Sequence, residues 1–183
     1  MASKHSTWIL SALAGALLLM APGGAGADTR DVANAIRRHP LSDLDGKPLS
    51  WNRVEGQVVV VGFWASWCKP CRHEMPMLAA LNEKLAPKGG RVIAISIDHD
   101  PENARRFAKK LGLTLPIYAD GPDGLARTLD LKQIPYTVVL DRDGRVAYTA
   151  TGSGEAEMER LSATASRLAG LPVAASAQLE GSR

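Results

Sequence analysis

Val58-Val59-Val60-Val61-Gly62-Phe63-Trp64-Ala65-Ser66-Trp67-Cys68-Lys69-Pro70-Cys71 runs from an apolar segment, uncharged as far as Cys68, into two cysteines three positions apart. A continuous run of β-branched residues predicts a strand covered on both faces. Beyond the cysteines, Met75, Leu78, Leu81 and Leu85 recur at helical spacing from about Pro70 to Leu85. Pro76 should kink that helix near its start, and Pro87 with Gly89-Gly90 should stop it. A Cys-x-x-Cys between a buried strand and a helix is a redox signal. The first sulfur then sits where unpaired N–H groups and the helix dipole favour a thiolate, and the second lies one turn further in. Cys68 is therefore expected to be the nucleophile and Cys71 the resolving thiol. Lys69 adds positive charge beside Cys68, which favours a somewhat less reducing couple, and Pro70 lacks an N–H that an early helical position leaves unpaired anyway.

Other uses of the pair are weaker. Cys68 and Cys71 are the only cysteines in 183 residues, and a staple closing so short a loop gains little. A metal site would need a further ligand such as His73, with no second cysteine pair to support it. Haem attachment needs His directly after the second Cys, where Arg72 stands. His73 and His99 read as surface histidines.

Working outward, Arg91–Ile97 repeats the buried-strand pattern and ends at the polar Asp98-His99-Asp100. Asp100-Pro101-Glu102 is a helix start, with Phe107 and Leu111 marking the buried side and Gly112 closing it. A short strand is expected around Leu115–Tyr118 and a brief helix at Leu125 and Leu129. Thr137–Leu140 and Arg145–Thr149 flank Asp141-Arg142-Asp143-Gly144 as an antiparallel hairpin, and Met158, Leu161, Ala165 and Leu168 predict a last amphipathic helix. Towards the N-terminus, Asp45-Gly46 within His39–Trp51 reads as a hairpin extension, and residues 28–38 as a linker. Alternating strands and helices with a closing hairpin imply an α/β fold, a central mixed sheet flanked by helices. It occupies residues 39–170 as one domain, and residues 171–183 are expected to form a flexible tail.

Residues 1–27 read as a secretory signal peptide: Lys4, the apolar run Trp8–Met20, then Ala25-Gly26-Ala27 as a small-x-small cleavage site. The alternative is an uncleaved anchor tethering the protein to the membrane, although 13 apolar residues fall short of the roughly 20 that span a bilayer comfortably. Export places the cysteines in a disulfide-permissive compartment. A hydrophobic content of 45% is enough for a packed core. The formal net charge of +3, dispersed among acidic residues, gives no nucleic-acid footprint.

Phe63-Trp64-Ala65-Ser66-Trp67-Cys68-Lys69-Pro70-Cys71, Glu74-Met75-Pro76, and Ile134-Pro135 ahead of a strand and an Asp-Gly hairpin resemble the thioredoxin superfamily. Within it they resemble the exported TlpA-like thiol:disulfide oxidoreductases, a branch that includes reductants of cytochrome c maturation. The resemblance runs from about His39 to Ala169 and implies the thioredoxin fold with a βα-type insertion, from Asp98 to Gly121. It implies that Pro135 is a cis proline facing the cysteines and that Ile134 offers its backbone to an extended client segment, against the alternative of an ordinary loop proline. Glu74 matches a glutamate associated with tuning the thiols, where it could exchange a proton with Cys71; the alternative is a solvated first-turn glutamate complementing the helix dipole. Where cytosolic thioredoxins carry a buried acid, six residues before the first Cys, this chain has Gly62, so the base must be Glu74, water or nothing. Trp67, Lys69 and Pro70 would meet the client, and Trp64 is either a wall of the site or core.

The expected function is a periplasmic thiol:disulfide oxidoreductase that reduces particular exported proteins. Its partners would be a client with a cysteine pair, of the apocytochrome c or copper-site assembly type, and a membrane thiol-transfer electron donor. The sulfur pair itself carries the electrons, so no cofactor and no resident metal is expected. Two alternatives stay open: a thiol oxidase or isomerase using the same residues, and a copper-binding assembly factor holding the ion through Cys68, Cys71 and a distant histidine. A peroxidase is disfavoured, because no threonine stands ahead of Cys68 in the manner of peroxiredoxins.

Overall fold

A computed structural model describes residues 29–172. The expected signal peptide, residues 1–27, and residues 173–183 of the expected tail lie outside the described residues. The chain forms helix α1 (Thr29–Arg38), strand β1 (Ser42–Asp43), β2 (Val59–Trp64), α2 (Lys69–Leu85), β3 (Arg91–Ser96), α3 (Pro101–Leu111), β4 (Ile117–Ala119), α4 (Leu125–Thr128), the hairpin β5 (Tyr136–Leu140) and β6 (Val146–Thr151), and α5 (Glu155–Leu168). The strands make one sheet in the order β1-β4-β3-β2-β5-β6. β2–β3 and β3–β4 are parallel pairs, and β1–β4, β2–β5 and β5–β6 are antiparallel. This is the mixed sheet of the thioredoxin fold.

β2 lies inside the sheet and every one of its residues is buried, as its unbroken apolar run requires. Because side chains alternate across a strand, it feeds two cores. Val58, Val60 and Trp64 join Met75, Leu78, Leu81 and Leu85 of α2, Phe107 of α3 and Met158, Leu161 and Ala165 of α5. Val59, Val61 and Phe63 join the other core, with Ile93 and Ile95 of β3, Leu125 of α4 and Ala33 and Ile36 of α1. Helices therefore cover both faces, and α2 runs through Pro76 from Lys69 to Leu85.

The capping chemistry is as the sequence predicts. The Asp100 carboxylate accepts from the Glu102 N–H at 3.0 Å, and Gly112 ends α3 at φ +62°, a conformation open to glycine at little steric cost. Asp45-Gly46 turns the N-terminal hairpin, whose short strand β1 joins the sheet edge against β4.

Two expectations are corrected. Residues 29–38 are helix rather than linker. Ala33 and Ile36, three apart, share one face and are buried, while Asp31 in the first turn and Arg37 and Arg38 in the last complement the dipole. Leu111 does not share the buried side of α3 with Phe107. It is 39% exposed, Ala104 takes the inward position, and Leu113 and Leu115 carry the chain back to the core after Gly112.

Since α1 is held by packing rather than propensity, Ile36→Ala should lower stability by about 2–5 kcal/mol, the usual range for emptying a fully buried aliphatic site. Urea unfolding followed by circular dichroism reads this directly, and an unchanged midpoint would show that α1 does not belong to the core.

Candidate active site

β2 delivers the chain to a tight turn. The Cys68 N–H donates to the Ala65 carbonyl at 3.1 Å, so Ser66 and Trp67 form the corner and α2 starts at Lys69. Cys68 is the cap of that helix: its Sγ accepts from the Cys71 N–H at 3.2 Å, taking the place of a capping oxygen. The two sulfurs are joined as a disulfide, with Cα atoms 5.3 Å apart. Their exposure differs in the direction the two roles need. Cys68 retains 5% of its surface and Cys71 none. Lys69 and Pro70 are exposed at the first two helical positions, and Trp67 is the most exposed large apolar side chain among the described residues, at 64%.

Glu74 lies one helical turn beyond Cys71 on the same face, and it is buried, not a solvated first-turn residue. The Thr137 hydroxyl donates to its Oε1 at 2.7 Å. Burial raises the carboxyl from the ordinary 4.5 to about 7, against a smaller opposing pull from the Thr137 bond. Thr137 stands opposite Gly62 in the β2–β5 register. A Cβ at Gly62 would meet Leu78 Cδ1 at 2.9 Å and Thr137 Oγ1 at 3.4 Å, so a side chain here would first have to displace the end of Leu78. The carboxyl enters from the helix instead.

The Ile134–Pro135 peptide bond is cis, as the resemblance implied. Phe63 pairs with Tyr136, so the segment entering β5 lies beside the end of β2 and next to the reactive turn. Trp67 and Ile134 line one cavity of about 370 Å³, together with Ile97, Ala126, Leu131 and Gln133. Trp64 proves to be core: it is 1% exposed, its ring centroid is 5.1 Å from that of Phe107, and its buried Nε1 makes no hydrogen bond among the described residues. His73 and His99 are both exposed. Among the described residues, no three or more His, Cys, Asp or Glu side chains gather as a metal site would require.

Sequence reasoning missed two groups. Thr137 carries only a strand signal in the sequence, because its bond to Glu74 spans 63 positions. Asp98 looks in the sequence like the polar end of β3, yet it is a buried acid, 2% exposed, that accepts from the Ser66 N–H at 2.9 Å and the Ser66 hydroxyl at 2.7 Å. An acid directly after the buried-strand pattern is the one signal the sequence offers for it.

The Redoxin family matches residues 25–166. The chain is 33% identical over 113 residues to the thiol-disulfide oxidoreductase ResA of Geobacillus thermodenitrificans, covering 62% of this chain and 65% of that protein. It is 31% identical over 112 residues to ResA of Bacillus anthracis, covering 61% and 65%. The aligned region thus spans less than two thirds of the length of these relatives. Among solved structures, a thiol:disulfide interchange protein assigned as DsbE from Chlorobium tepidum superposes with a TM-score of 0.66 at 27% identity, covering 71% of this chain and 92% of its own. StoA from Bacillus subtilis, at 23% identity and a TM-score of 0.57, covers 68% of this chain and 93% of its own and shares the fold.

The raised Glu74 carboxyl has a thermodynamic signature. Between about pH 4.5 and 7 the folded protein keeps this proton while the unfolded chain releases it, so stability falls as pH rises through that window. The loss attributable to Glu74 should be on the order of 3 kcal/mol, and Glu74→Gln should abolish it. Guanidinium unfolding of both proteins at pH 4.5 and 7.5 measures the difference, and parallel pH profiles would contradict the buried-acid assignment.

Proposed function

The chain belongs to the Redoxin family, and on that premise we propose that it is a thiol:disulfide oxidoreductase acting as a reductant of exported proteins. The observation that carries this is the Cys68–Cys71 disulfide at the cap of α2, with the first sulfur reachable, the second buried, and the cavity of Trp67 and Ile134 alongside. A client segment extended along Ile134-Pro135, with Lys69 and Pro70 on its other flank, would bring its own disulfide to Cys68.

In the reduced protein the Cys68 thiolate attacks one client sulfur. A Cys68–client disulfide forms, the client disulfide breaks, and the leaving client sulfur takes up a proton. Cys71 then gives its proton to the Glu74 carboxylate and attacks the Cys68 sulfur, which forms the Cys68–Cys71 disulfide and expels the second client thiolate. A carboxyl with a pKa of about 7 is suited to that exchange near neutral pH, because both of its forms are populated. Two electrons have passed to the client, and a membrane thiol-transfer donor would return them. The leading segment 1–27 supports export to the periplasm, where a reductant needs such a dedicated source. No helix among the described residues is long and apolar enough to cross a membrane. Clients of the apocytochrome c or copper-site assembly type fit this role. The exposed Lys69 favours a second direction, oxidation or isomerisation through the same sulfurs, because it stabilises the Cys68 thiolate.

Cys71→Ala removes the resolving thiol, so the variant expressed with its leader should accumulate mixed disulfides between Cys68 and proteins carrying cysteine pairs, released by dithiothreitol. Equal trapping through Cys71 in Cys68→Ala would overturn the assignment of the nucleophile, and trapping in neither variant would overturn the exchange function.

A further inference from the structure

Ser66 precedes Cys68 by two residues and is tied down on every polar atom. Its N–H donates to Asp98 Oδ2 at 2.9 Å, its hydroxyl donates to Asp98 Oδ1 at 2.7 Å, and its carbonyl accepts from an Arg72 Nη at 3.4 Å. Arg72 is itself placed with its guanidinium 6.0 Å from the centre of the Phe107 ring. Asp98 is held in turn from β3, where the Ser96 hydroxyl donates to Oδ2 at 2.8 Å and accepts from the Asp98 N–H at 3.1 Å. All three partners of the Asp98 side chain donate to it, so the group serves as an acceptor throughout, as a carboxylate does. A buried charge satisfied this fully needs a reason to be there, since an apolar contact would close the end of a strand at less desolvation cost.

We propose that Asp98 is a positioning residue for the thiol–disulfide exchange, anchoring through Ser66 the turn that presents Cys68 and biasing the sulfur couple toward reduction by its buried negative charge; this rests on the exchange function proposed above. The geometry supports both parts. The turn has one internal hydrogen bond, from the Cys68 N–H to the Ala65 carbonyl, and Ser66 is its first corner. Fixing both Ser66 donors to β3 therefore sets where Trp67 and Cys68 emerge. The carboxylate is bonded to the residue two positions before Cys68, so its charge sits against the turn that carries the sulfur. A negative charge there disfavours the Cys68 thiolate and hence the reduced form's excess stability, which makes the disulfide less oxidising. Lys69 and Arg72 act in the opposite sense but are exposed, where solvent and salt weaken their fields, whereas Asp98 is shielded from both. The buried charge should therefore outweigh the exposed ones.

The test is glutathione equilibration of the full chain and two variants. Asp98→Asn keeps the shape and removes the charge, and it should shift the dithiol–disulfide equilibrium about tenfold toward a more oxidising couple, about 30 mV. Ser66→Ala removes one hydroxyl bond and leaves the charge, and its equilibrium should stay within about twofold of the parent. An unshifted Asp98→Asn couple would overturn the proposal. So would a tenfold oxidising shift in Ser66→Ala, a result that is informative even if Asp98→Asn does not fold. A parent protein with no reversible couple would overturn the exchange function itself, whereas a reversible parent couple matched by Asp98→Asn overturns only the role of Asp98.

Discussion

The structure turns on one junction, where a fully buried strand leads into the start of a helix and a sulfur does the capping. Helix N-termini carry N–H groups without intrahelical partners and a partial positive charge. In most proteins a hydroxyl or carboxylate answers them. Here Cys68 Sγ does, so the group that completes the helix is also the group that reacts. The buried strand β2 gives that junction its rigidity. Packed on both faces and paired on both edges, it cannot shift without disturbing two cores.

Two carboxyl groups are buried among the described residues, and they reach the junction from different elements. Glu74 comes from the helix, below Cys71, and is met by Thr137 of β5. Asp98 comes from the end of β3, beside the turn ahead of Cys68, and is met by Ser66 and Ser96. Their surroundings differ in kind. Glu74 has one hydrogen-bond donor and a carboxyl lifted by burial, which suits a group that takes and gives a proton. Asp98 has three donors, spread over both of its oxygens, which suits a fixed anchor. The missing acid at Gly62 belongs to the same pattern. Leu78 and Thr137 pack against that glycine, and the carboxyl of this region comes from α2 as Glu74.

Much of this was legible in the chain alone. The apolar run into Trp67-Cys68 predicted β2, and the spacing of Met75, Leu78, Leu81 and Leu85 predicted the inner face of α2, because burial on two faces or on one stripe leaves a direct imprint on composition. The hairpin around Asp141 and Gly144 was equally plain from turn chemistry. What escaped was whatever depended on a distant partner. α1 is ten residues long with only Ala33 and Ile36 buried, too short to be stable alone, and it exists as helix because the sheet receives it. Leu111 fits the period of α3, but period says nothing of where a helix outruns the core. The importance of Asp98 lies in a contact 32 positions away and leaves no local pattern.

The central claim is that the Cys68–Cys71 couple works as a reductant. Its standard reduction potential, obtained by equilibrating the full chain against dithiothreitol or glutathione buffers, tests this most directly. The account predicts a value near that of thioredoxin, about −270 mV. A value near about −120 mV, that of a strong disulfide donor, would contradict it.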